Sequence, residues 1–255
     1  MIRELFDMER APDPMRAARG TKRALPKRFY KEASVGATPG GHALLLDGKP
    51  VKTPARLPLT LPTWALAEAV CAEWAAQESR IDPARMPMTR LANLAIDRGA
   101  ESAGALAEEI AGYAGSDLLL YRAGQPEGLV AMQAAHWDPI LAWTGEALGA
   151  RFVLAEGLRF VAQPEAALAA VRAAVAAEAP PFRLAALASL TTLSGSALIA
   201  LALSRRALDA GAAWAAAHVD EDWNIRQCGA DAEATARRAA RRAEFDAAAR
   251  MLALA

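Results

Sequence analysis

Asp220-Glu221-Asp222, followed at once by Trp223, is the most unusual chemistry in the C-terminal half of this sequence. Two carboxylates that reach the same substrate can share general acid/base work. Neighbouring positions on a helix point about 100° apart, however, so these three cannot all serve one site. Two readings stay open: a solvated acidic face, or the polar rim of a partner-binding surface anchored by the amphipathic ring of Trp223. Asp220, Glu221, Asp222 and Trp223 are therefore the candidate partner-binding residues. His42, His136 and His218 lie far apart, and none has a His or Cys neighbour at ligand spacing. His218 and Asp222 would share a helix face at spacing four, but two ligands without a third do not make a zinc site. No metal, cofactor or catalytic residue is expected.

The remaining catalytic signatures fail for identifiable reasons. A phosphate-cradling loop needs Gly-x4-Gly-Lys-Ser/Thr, and none occurs. No Gly-x-Gly-x-x-Gly follows a strand, and Leu193-Ser194-Gly195-Ser196 lacks the first glycine of a nucleophile elbow. Arg90, Asn93 and Asp97 share a helix face at spacings of three and four. They fit either a small-molecule enzyme working in a cleft between two domains or a satisfied polar network. Seven basic side chains lie between Arg16 and Lys31 with no acid among them, and Arg237, Arg238, Arg241 and Arg242 form a stripe on the last helix. The 29 basic residues of the chain equal its 29 acidic ones, so no global field attracts nucleic acid or an anionic membrane. Only Phe29 and Tyr30 accompany the N-terminal charges, and base-stacking platforms are scarce. Both basic segments read as solvated, one a flexible arm and the other a helix face partly offset by Glu233, Glu244 and Asp246.

The elements that must position these residues change character along the chain. Up to about Pro62 the sequence is rich in proline, glycine and short β-type runs; beyond it alanine and leucine dominate. Asp47-Gly48 separates the apolar run Ala43 to Leu46 from the extended run Val51 to Pro54, and this pair takes the positive φ angles of a type I′ hairpin turn. Pro50, Pro54, Pro58 and Pro62 exclude a helix there and favour edge strands or a small barrel rim. Thr63 can cap a helix through Trp64, Leu66, Val70 and Trp74, with Trp74 a structural core residue. Asp82-Pro83 starts a turn or short helix, and a further helix carries Leu91, Leu94, Ala95 and Arg98. Helices are expected at about 102–113, 129–148, 164–178, 181–193, 196–205, 209–227 and from near Asp231. Leu118 to Tyr121 reads as a short strand or a buried helical turn, and Val153 to Val161 as extended.

From Leu184 to Ser204 no residue is charged, a length that would span a bilayer. Ser194-Gly195 breaks the run into two shorter helices buried in a soluble bundle, so no stable membrane insertion is expected. Cys71 and Cys228, the only cysteines, are too few for a disulfide framework. The N-terminus resembles neither a secretory signal nor a transit peptide, which suggests a bacterial cytoplasmic protein. The fold class is α+β: a flexible arm (1–26), a small β-rich N-terminal domain with flanking helices (27–100) and a mainly α-helical C-terminal domain (101–255).

Several ordered blocks resemble one family. Arg28-Phe29-Tyr30-Lys31, Leu46 to Pro54, Glu73-Trp74, Ile81-Asp82-Pro83, Met86 to Asn93, Trp137-Asp138-Pro139 and Asp220 to Gly229 are similar to signatures of the chaperones that assemble the F1 sector of ATP synthase. The last block differs at Asn224 and Cys228, where the family pattern has glutamine and an aromatic. The resemblance implies a non-catalytic protein without cofactors that binds the free α subunit and shields its apolar assembly surface from aggregation. It also implies a functional acid in the triplet, assigned to Asp220. The free protein is expected to be a monomer, with Trp74, Asp47 and Gly48 as structural residues.

Overall fold

The computed structural model describes residues 25–99, 103–157, 160–178 and 180–255. The chain divides into two compact units, the first reaching to Gly99 and taking in Leu254 and Ala255, the second running to Ala253.

The first unit is a small antiparallel sheet with helices. Strand β1 (Ala33–Thr38) pairs along its whole length with β2 (Gly41–Leu46), and two two-residue strands, β3 (Lys49–Pro50) and β4 (Thr60–Leu61), share the other edge of β2. The proline-rich segment thus supplies only edge pairing, as a residue without an N–H donor requires. The turn after β2 is the expected one, with Asp47 at φ 48° and Gly48 at φ 76°. The main partner of β2 was not foreseen. Ala33–Thr38 is built of small, half-buried residues and lacks the apolar alternation that marks a strand. Leu44 and Leu46 face inward from β2, and helix α1 (Trp64–Ala75) packs on the sheet through Leu66, Val70 and Trp74, spaced four apart. Thr63 caps α1 by accepting from Leu66 N at 3.2 Å. Trp64 falls on the opposite face and is half exposed. A 3-10 turn at Pro83–Arg85 leads into α2 (Pro87–Arg98).

Part of the basic segment read as a solvated arm is ordered. The Arg28 guanidinium donates to the carbonyls of Tyr30, Lys31 and Gln77 at 3.1, 2.8 and 2.5 Å and stacks over the Tyr30 ring. The rest of that arm, residues 1–24, lies outside the described residues.

The second unit is helical: α3 (Ala103–Gly112), α4 (Glu127–Trp143), α5 (Glu165–Ala176), α6 (Pro181–Ser194), α7 (Ala197–Ser204), α8 (Ala210–Ala217), α9 (Val219–Cys228) and α10 (Ala232–Leu254). Leu118–Leu120 is a 3-10 turn that passes directly into β5 (Tyr121–Arg122), so both readings of that segment hold in sequence. Within the stretch expected to be extended, Val153 to Val161, the described residues hold strand β6 (Ala155–Glu156), parallel to β5. Pro139 sits inside α4, which ends in a π turn at Thr144–Leu148.

The uncharged run 184–204 is broken as expected. Gly195 takes the left-handed conformation at φ 69°, and Ser196 caps α7 by accepting from Ile199 N at 3.0 Å. The first six residues of α7 are almost inaccessible to solvent, as befits a helix apolar on every side. Among the described residues no helix is long and apolar enough to cross a membrane. Asp117 was not singled out from sequence, yet its buried carboxylate accepts from Leu119 N at 3.2 Å and Leu198 N at 3.1 Å. It joins the turn before β5 to the first turn of α7. Burial pushes its pKa up to about 6, against hydrogen bonds from Ser196, Leu198, Leu119 and Ala197 that favour the ionised form.

Candidate functional site

The helix expected over 209–227 is two helices. It breaks at His218, whose backbone (φ −124°, ψ 20°) leaves the helical region between α8 and α9. His218 is buried with its ring stacked on Trp214 at 3.7 Å. Its Nδ1 lies 2.8 Å from the Trp214 carbonyl, which can only accept, so Nδ1 carries the proton. Burial is the largest influence on this imidazole and lowers its pKa, with the Arg241 and Arg238 charges adding to that; the Trp214 bond and Glu221 oppose them. The break places Asp220, Glu221 and Asp222 in the first turn of α9, where the helix dipole favours negative charge.

Asp220 parts from the other two carboxylates, which both reach Arg238. Asp220 is exposed and accepts through Oδ1 from Gln133 Nε2 of α4 at 2.8 Å; Gln133, itself buried, accepts from Ala123 N at 2.8 Å. Asp222 turns to α10 and pairs with Arg238 at 2.5 Å. Glu221 stands 3.8 Å from Arg238, 3.9 Å from Arg241 and 3.9 Å from His218 Nε2. The acid that approaches the His218 ring is therefore Glu221, not Asp222 at spacing four.

The outer edge of the Trp223 ring meets α4 at Gly128, where a Cβ would come within 2.6 Å of Cη2. Only glycine leaves room for the ring to approach that helix so closely. Trp223 remains partly accessible, and Asp220 Oδ2 has no protein partner among the described residues. Further along α4, Trp137 is fully buried and donates from Nε1 to the Ala216 carbonyl at 2.8 Å, and Asp138 pairs with Arg122 at 2.7 Å. Gln133 and Gly128 carry this geometry, and nothing in their local sequence marks them.

The arginine stripe of α10 is not a purely solvated face. Arg238 is only 20% exposed and, with Arg242, lies over the Trp214 ring at 5.9 and 5.3 Å. Arg237 pairs with Glu233, and Arg242 with Asp246 at 2.8 Å. A stripe so occupied by its own carboxylates has little charge left for phosphates.

In the first unit Arg90, Asn93 and Asp97 all lie on α2. Arg90 donates to the Pro83 carbonyl, Asn93 is buried, and Asp97 accepts from Ala55 N at 3.1 Å. Glu73 accepts from Met88 N, Thr89 N and Thr89 Oγ1, each at 2.7 Å, and so caps α2 from outside the helix. Its pKa is raised, burial outweighing those bonds. Asp47 accepts from Lys31 N at 3.0 Å and Glu32 N at 2.9 Å, bonds that lower its pKa. Trp74 is fully buried, and its carbonyl accepts from Tyr30 Oη at 2.7 Å. Among the described residues no group of three His, Cys, Asp or Glu side chains could hold a metal.

Residues 27–145 match the model of the ATP12 chaperone protein family. The Atu1473 protein of Agrobacterium tumefaciens is 44% identical and superposes with a TM-score of 0.87 over 99% of this chain and 95% of its own. Atp12 from Paracoccus denitrificans is 40% identical, with a TM-score of 0.81 over 90% of this chain and 98% of its own. The chain belongs to the ATP12 chaperone family. An aspartate-to-lysine mutant of the Paracoccus Atp12 is equally similar, at 40% identity and a TM-score of 0.81. Membership makes the chain a chaperone of the class its ordered signatures imply. The match to the family model spans Arg28 to Pro139 of those signatures and ends before α9, so the triplet rests on its own geometry.

Proposed function

We propose that this chaperone binds the free α subunit of the ATP synthase F1 sector, covers its apolar assembly surface until a partner subunit replaces it, and performs no catalysis. Exposed apolar surface of that kind drives aggregation, which gives a transient cover its physical purpose. The observation that carries the reading is the pairing of an outward, half-satisfied Asp220 carboxylate with a partly accessible Trp223 seated on Gly128. An aromatic anchor beside a polar rim is the anatomy of a protein-binding patch. Glu221 and Asp222 hold α9 to α10 in this reading, and Asp220 meets the client. The protein acts in the bacterial cytoplasm as a monomer when free.

The test is light scattering of freshly diluted α subunit at matched salt, with parent, Asp220→Asn and Asp220→Lys chaperone. Asparagine keeps the oxygen that Gln133 donates to and removes only the charge. The parent suppresses scattering at a near-stoichiometric ratio, and Asp220→Lys weakens client affinity at least tenfold with an unchanged circular dichroism spectrum. Equal affinity of all three proteins would remove Asp220 from the interface. Absence of suppression by a folded parent would refute the client assignment.

A further inference from the structure

The C-terminal end of α7 and the last turns of α10 border an open pocket of about 440 Å³. This is within the size range of ligand sites. Leu203, Leu208 and Leu252 supply apolar wall, and Arg183, Arg206 and Arg250 supply guanidinium groups. Asp246 also lines it, neutralised by Arg242 at 2.8 and 2.9 Å. The donors of Arg183 are committed to Glu178 at 2.7 and 3.0 Å, the Leu252 carbonyl at 2.8 Å and Ser204 Oγ at 2.9 Å. Arg206 and Arg250 are exposed and have no hydrogen-bond or ion-pair partner for their side chains among the described residues. The pocket therefore carries two uncompensated positive charges beside aliphatic wall.

The backbone at Arg206 makes this more than a chance grouping. α7 ends in a Schellman motif: Ala207 N donates to Ala202 O at 2.8 Å and Arg206 N to Leu203 O at 3.0 Å. That motif puts Arg206 at φ 59°, in the left-handed position where glycine is the ordinary occupant. An arginine held in an unfavourable conformation, where glycine would be more stable, points to work done by its side chain.

We propose that this pocket binds an acidic, aliphatic peptide segment, with carboxylates on Arg206 and Arg250 and branched side chains against Leu203, Leu208 and Leu252. Arginine pairs with carboxylates through two parallel hydrogen bonds, and the apolar wall selects an aliphatic carrier over a bare anion. The choice of a peptide as occupant rests on the chaperone reading, whereas the site itself does not require the α subunit as client.

The test is fluorescence anisotropy of a labelled hexapeptide of alternating leucine and glutamate titrated with the full chain, against the same peptide with glutamine for glutamate. The glutamate peptide binds at least tenfold more tightly. Arg206→Gly and Arg250→Ala each weaken it at least fivefold, while Arg206→Gly melts no lower than the parent. A lost contact with an unharmed or stabilised fold separates recognition from a structural role. Equal affinity for the two peptides, undiminished binding by Arg206→Gly, displacement of the peptide by an equal concentration of inorganic phosphate, or no binding at all would each overturn the proposal. Because no ATP synthase subunit is present, failure here leaves the client assignment standing, and failure of the scattering test leaves this site standing.

Discussion

The two units are built by different means. In the first, charged and polar side chains reach across the chain to backbone groups: Arg28 to three carbonyls, Asp47 to Lys31 and Glu32, Gln77 to Asp82, Glu73 to the start of α2, and Asp97 to Ala55. In the second, alanine and leucine bury helix against helix, and ion pairs concentrate where α9 meets α10. A unit with short strands cannot satisfy its irregular backbone by ladders alone, so side chains take over that role. The lesson concerns recognition as much as stability. The most recognisable residues of the first unit hold its backbone together, whereas the residues proposed above to meet a client, Asp220 and Trp223, sit on a helix of the second.

The strongest way to break this comparison is Trp74→Ala. Removing a fully buried tryptophan from the first unit costs about 3 to 5 kcal/mol, a large share of a domain's stability. The variant should be poorly soluble and melt well below the parent; an unchanged melting temperature would show that α1 does not anchor its unit.

Asp117 tests the second unit through pH. Its pKa is raised from 3.8 in the unfolded chain to about 6 in the fold, so the folded state binds more protons between those values. The contribution to stability is therefore greatest below pH 3.8 and is lost as pH rises through 6, on the order of 3 kcal/mol in all. Chemical denaturation of Asp117→Asn from pH 4 to 6.5 should show a more positive slope of stability against pH than the parent. Identical slopes would mean that the fold does not raise the Asp117 pKa, its hydrogen bonds offsetting its burial.

The smallest effect sharpens the role of side-chain capping. Glu73→Ala leaves Met88 N and Thr89 N without their acceptor and should cost about 2 kcal/mol in denaturant unfolding. Glu73→Gln, which keeps one acceptor oxygen, should fall between that variant and the parent.

Legibility in the sequence followed the range of the interactions involved. The turn at Asp47-Gly48, the cap at Thr63, the proline-bearing edge strands and the break at Ser194-Gly195 were readable because each depends on the φ range or hydrogen-bonding capacity of the residues on the spot. β1 was hidden because its residues pair well without carrying an apolar alternation. The break at His218 was hidden because the alanine-rich sequence before it suits a continuous helix, and the buried stacking on Trp214 accompanies a local bend instead.

For the candidate site, the sequence by itself determined that three adjacent carboxylates cannot all serve one site, since neighbouring helical positions are turned about 100° from one another. Only the tertiary structure decided which turns where. Asp220 goes to Gln133, 87 positions away, and Asp222 to Arg238 on the next helix. The same holds for Asp117, whose partner Leu198 is 81 positions distant. Partners so far apart are chosen by the path of the whole chain and by the need to satisfy every buried polar group at once, conditions that no local run of residues contains.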